Sequence, residues 1–152
     1  MKKILIALDY NPSAEKVAET GYAIAKAVQA EVTLVHVITD PSYYAIEYSP
    51  IMGYQGGYTS GITAIVDDIK KEAENFLAAS VKHLGDNNIN TMVLDGEAPG
   101  SILDYAKDWK ADLVVMGSHR HHGIYRFLIP DIAVDAVKHS TIPLYIIPTA
   151  DE

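Results

Sequence analysis

The chain has 152 residues, 49% hydrophobic, with 12 basic and 20 acidic side chains and a formal charge of -8; this length buries roughly two thirds of its unfolded surface and suits one domain over residues 1–152. The acidic balance argues against nucleic acid and anionic lipid as partners, and the lack of cysteine excludes disulfides, thiolate nucleophiles and sulfur-ligated zinc. No apolar run reaches the roughly 18 residues that span a bilayer, and the opening run meets Asp9 too early for a signal-peptide core, so a cytoplasmic location is expected.

Lys3 to Leu8 is a continuous apolar run, the pattern of a parallel strand buried on both faces, and it ends in the turn-forming Asp9-Tyr10-Asn11-Pro12. From Ser13, Val17, Gly21, Ile24, Ala25 and Val28 recur at helical spacing, with Glu15, Glu19, Lys26 and Gln29 between them. Val32 to Ile38 is a second β-branched strand. Residues 39–62 make an unusually long connection, carrying Tyr43, Tyr44, Tyr48, Tyr54 and Tyr58 among several glycines; segments of this kind are lids, interfaces or plain surface flaps. Ile65, Val66, Ile69, Ala73, Phe76, Leu77 and Leu84 mark a long helix stopped near Gly85 by the preference for glycine at helix ends. Then follow a strand over Thr91–Leu94, a helix over Pro99–Trp109, a strand over Leu113–Met116 that breaks at Gly117, a helix from about Asp131 to His139, and a strand over Leu144–Ile147. Regular alternation of strand and helix predicts an α/β fold, an open doubly wound five-stranded parallel sheet with helices on both faces. Ligands of such sheets bind beyond the carboxyl ends of the strands where the strand order reverses, which puts Asp9, Val37 and the loop after Gly117 on one rim.

The segments I-L-I-A-L-D at 4–9, V-T-L-V-H-V at 32–37, G-E-A-P-G-S-I-L at 96–103, A-D-L-V-V-M-G-S at 111–118 and S-T-I-P-L-Y-I-I-P at 140–148 resemble those of the universal stress protein family. The resemblance runs from end to end. It implies a Rossmann-like domain of the adenine nucleotide alpha hydrolase-like type, cytoplasmic, dimeric and associated with stress, in a family where some members bind ATP and others do not.

In the ATP-binding members the loop after the fourth strand follows G-x2-G-x9-G-[S/T], which here falls on Gly117, Arg120, Pro130 and Asp131. Glycines let backbone wrap round phosphate oxygens, and the following helix aims free N–H groups at the anion. Only Gly117 matches. Pro130 has no N–H to donate, and Asp131 brings a negative charge that can cap the first helical turn itself. The candidate nucleotide positions that the resemblance implies are Leu8, Asp9, Val37, Met116, Gly117, Arg120, Gly123, Pro130 and Asp131, a degenerate set for which no cofactor is expected. The alternative is ATP or AMP with Mg, bound with Arg120, Arg126, His119, His121 and His122 in place of the lost glycines. Asp9 has a second reading as a residue that turns the chain with Asn11 and Pro12.

No G-x-x-x-x-G-K-[S/T], G-x-G-x-x-G or G-x-S-x-G motif is present, so no catalytic residue is assigned and a slow ATPase is the one enzymatic alternative. The His119-Arg120-His121-His122 run reads as a solvated loop rather than a metal site, because it lacks a converging carboxylate or cysteine. His36, His83 and His139 are accounted for by core packing and helix-end charge. Pro143 to Ile147, at a sheet edge and rich in apolar side chains, is the expected homodimer strand.

Overall fold

The protein is described by a computed structural model over residues 1–38, 52, 65–119 and 131–149. In chain order the elements are β1 (Lys3–Ala7), α1 (Ala14–Val28), β2 (Glu31–Ile38), α2 (Ile65–Leu84), β3 (Asn90–Asp95), α3 (Gly100–Trp109), β4 (Leu113–His119), α4 (Ile132–His139) and β5 (Leu144–Thr149). The strands form one parallel sheet in the order β3-β2-β1-β4-β5. The expected doubly wound architecture is therefore present, with the order reversing between β1 and β4.

The continuous apolar run of β1 follows from its central place. Ile4, Leu5 and Ile6 are each 0% exposed. The strand's two-residue period sends Ile4 and Ile6 to one face, with Val17, Ala18, Phe76, Leu77 and Val115, and Leu5 to the other, with Val35, Ile102, Ala106, Val114, Ala133 and Ala136. Helices α1 and α2 cover the first face and α3 and α4 the second. Helix α2 ends as expected at Gly85, where a φ of +73° suits glycine and the amide bonds the carbonyls of Val81 and Lys82 at 3.0 and 3.2 Å. Met52, the one described residue of the long connection, packs against the first core.

Two boundaries differ from the sequence expectation. Strand β4 does not break at Gly117 but continues through Ser118 to His119, and β5 continues through Pro148 to Thr149, the two pairing Gly117 with Ile147 and His119 with Thr149. Gly117 is required by packing: a Cβ there would come within 2.9 Å of Val17 Cγ2 and 3.3 Å of Thr149 Cγ2. Pro148 is compatible with a strand because, among the described residues, β5 is an edge of the sheet, where prolines are tolerated.

Gly21 is under the same constraint in mid-helix, since a Cβ would sit 2.8 Å from Ile6 Cδ1 and 3.2 Å from Val115 Cγ1. Alanine is the better helix former by about 1 kcal/mol, but overpacking a core costs about 1–3 kcal/mol. Gly21→Ala is expected to lower stability in urea unfolding despite its propensity gain. Combining it with Ile6→Val, which removes the clashing methyl, should cost less than the sum of the two single changes; additivity would contradict this packing account.

Candidate functional site

The reversal of strand order brings the carboxyl ends of β1 and β4 onto one rim. On the β1 side, the Leu8 amide bonds the Val35 carbonyl at 2.8 Å and its carbonyl accepts from His36 Nδ1 at 2.8 Å. Asp9 then starts the turn: its Oδ1 accepts from the Asn11 amide at 3.0 Å, and Asn11 Oδ1 accepts from the Ser13 amide and hydroxyl at 3.1 and 2.9 Å. The turn-making reading of Asp9 is realised in these bonds, and its side chain remains exposed.

His36 is 5% exposed, with its ring 4.4 Å from that of Tyr10 and 5.8 Å from that of Phe76. Burial holds its pKa below the ordinary histidine value, while the Leu8 carbonyl and the Asp9 charge pull the other way. Near neutral pH the lowered pKa favours the neutral imidazole, whose Nδ1–H donates to the Leu8 carbonyl, and the ring packs in the core as the sequence suggested.

Leu8 and Met116 reach the rim through their backbone while their side chains lie in the first and second cores, 4% and 3% exposed. Val37 is half-buried against the second core, in register with Leu94. Gly117 lies within β4 instead of opening a loop. Arg120, Gly123 and Pro130 lie outside the described residues, as do Arg126, His121, His122, the tyrosines of the long connection and the His119 side chain.

Asp131 lies at the start of α4. It is the N-cap of α4, in extended conformation, and its Oδ1 accepts from the amides of Ala133 at 2.9 Å and Val134 at 3.4 Å. Its own carbonyl accepts from the Asp135 amide at 3.0 Å. The helix end that would face an anion thus directs two first-turn amides at a carboxylate of the same chain. Elsewhere, a groove of about 280 Å³ lined by Tyr22, Lys26, Glu31, Asp86 and Asn88 lies at the amino end of the sheet and shares no residue with the rim. Between α1 and α2, the structure brings together Glu15, Glu19 and His83, a grouping the sequence did not indicate.

Residues 1–148 match the model of the universal stress protein family. A universal stress protein of Methanocaldococcus jannaschii is 27% identical over 149 residues, spanning 96% of this chain and 81% of its own. Two solved structures share the fold. One is a universal stress protein in complex with cAMP, with a TM-score of 0.65, 14% identity and 96% of each chain covered. The other, from Archaeoglobus fulgidus in complex with dAMP, has a TM-score of 0.61 and 21% identity, with 97% of this chain and 98% of that one covered.

Two measurements check the rim. Because the folded-state pKa of His36 lies below the unfolded value, its contribution to stability is fully present above that value, near pH 6.5, and is lost as the pH falls below it. The unfolding free energy should therefore drop as the pH falls below about 6.5, and His36→Asn should lose that part of the slope. Asp131→Ala should cost about 1 kcal/mol through the lost cap, whereas Asp131→Ser, which keeps a capping oxygen, should cost much less.

Proposed function

The chain belongs to the universal stress protein family, and we infer that it acts as a non-catalytic, cytoplasmic stress-response module, dimeric and with a degenerate nucleotide site. The observation that carries this reading is the capping of α4 by Asp131. A triphosphate bound in the manner of the G-x2-G-x9-G-[S/T] members needs those amides and a neutral residue beside them. Here a carboxylate holds the amides and would stand close to the incoming phosphate with like charge, and Pro130 next to it brings no N–H. The chain then works through its surface and its twofold assembly rather than through hydrolysis.

The edge strand supports the dimer. Tyr145 in β5 is 45% exposed, and Val134 and Val137 in α4 are 51% and 61% exposed, so the β5 end of the sheet presents apolar surface beside a strand that is an edge among the described residues. Pairing of Pro143 to Ile147 with the same strand of a second copy covers both.

A second reading, an adenine-nucleotide sensor or slow ATPase working with Mg, is favoured by the cAMP and dAMP complexes of the two fold neighbours. Those ligands carry a single phosphate, so they ask less of the α4 end than ATP does. Calorimetric titration with ATP, AMP and cAMP separates the readings: the first requires flat ATP titrations, and saturable ATP binding by the natural chain contradicts it. Under the first reading, joint replacement Pro130→Gly and Asp131→Ser should strengthen ATP binding by about tenfold or more, because it restores donors for charge-assisted bonds. In sedimentation the natural chain should run at twice its chain mass at micromolar concentration, and Tyr145→Glu should shift it towards monomer; a monomer at all concentrations would remove the dimer.

A further inference from the structure

The contact between α1 and α2 holds a cluster that the rim does not use. Glu15 and Glu19 stand at i and i+4 on α1, so their carboxylates lie on one face, one turn apart. His83, in the last turn of α2, places Nε2 at 2.8 Å from Glu19 Oε1 and 3.8 Å from Glu15 Oε1. One ligand atom from each of the three residues lies within 4.8 Å of the others. From this convergence we propose that Glu15, Glu19 and His83 form a binding site for a divalent transition-metal ion, with zinc the best match.

The donor set selects the ion. One imidazole nitrogen and two carboxylate oxygens suit zinc and its neighbours, whereas calcium needs more oxygens and magnesium keeps its waters. In a tetrahedral shell with bonds of about 2.0–2.2 Å, donor atoms stand roughly 3.3 Å apart. The observed separations, from 2.8 Å to no more than 4.8 Å, bracket that value, so side-chain rotation alone can close the shell. The side chains of His83, Glu15 and Glu19 are 29%, 47% and 54% exposed, which leaves an entry path and room for water as the fourth ligand.

Electrostatics favour occupancy. Like charges at i and i+4 on a helix repel, and the single Nε2 proton reaches only Glu19, because 3.8 Å is beyond hydrogen-bond distance for Glu15. A doubly charged ion neutralises both carboxylates at once, and the chain's formal charge of -8 draws cations towards it. Ligation through Nε2 leaves the imidazole proton on Nδ1. The ion would join helices whose ligands are 64 residues apart in sequence, and so stabilise the packing of α2 on α1.

The test uses untagged full-length protein titrated with zinc chloride by calorimetry, since a histidine tag would mask the site. The expected result is saturable binding of one equivalent that His83→Ala, and separately the pair Glu15→Gln and Glu19→Gln, weaken by about tenfold or more. Zinc should also raise the thermal midpoint of the natural chain and leave that of His83→Ala unchanged. A control with His119, His121 and His122 all changed to Ala should keep the zinc-induced rise. Circular dichroism without metal establishes that each variant is folded, and His83→Gln serves if His83→Ala is not. Absence of saturable binding, or binding that His83→Ala leaves intact and the loop control abolishes, would overturn the proposal.

Discussion

Everything in this molecule hangs on the enclosure of β1. Its side chains are covered by a pair of helices on each face, and its backbone is paired by β2 on one side and β4 on the other. Full burial of a side chain such as isoleucine or leucine contributes about 1.5–3 kcal/mol, and Ile4, Leu5 and Ile6 are buried in succession. No other strand arrangement satisfies three consecutive apolar residues so well: a strand exposed on either face would leave one or two of them in water. Glycines at 21 and 117 follow from the same demand, because helix α1 must lie directly on β1 and β4 and leaves no space for a Cβ at either position.

Enclosure of β1 also creates the rim. A central strand with partners on both sides and connections leading away from it opens a crevice at its carboxyl end, where backbone and side-chain polar groups need partners. In this chain Asp9, Asn11, His36 and Asp131 find hydrogen-bond partners within the protein. The described part of the rim thus holds itself together, and the first turn of α4 is capped from within the chain by Asp131.

Much of this was legible in the sequence. The continuous apolar run of β1, the helical spacing of Val17, Gly21 and Ala25, and glycine at position 85 are local signals, and each led to the element that formed. Asp131 as a helix cap and Asp9 as a turn residue could be read because short acidic side chains bond amides two or three residues on. Gly117 was misleading because glycine marks loops when only neighbours along the chain are considered; its actual reason is Val17, a hundred residues earlier on a packed helix. Glu15, Glu19 and His83 were hidden for a similar reason. Along α1 the two acids belong to an ordinary solvated face, and nothing near His83 in the chain announces that it faces them.

The position of β1 has a consequence for biosynthesis. It precedes the other four strands of the sheet in the chain, yet Ile6 pairs with Val115 and the amide of Lys2 bonds the carboxylate of Asp112 at 2.6 Å. While β1, β2 and β3 are already available to one another, one side of β1 has to wait until β4 has been translated. During that interval a nascent half-sheet of β1, β2 and β3 carries an open apolar border in the middle of what will become the interior. The strand whose central residues are wholly buried in the finished fold is thus one that stays uncovered along one side until β4 emerges.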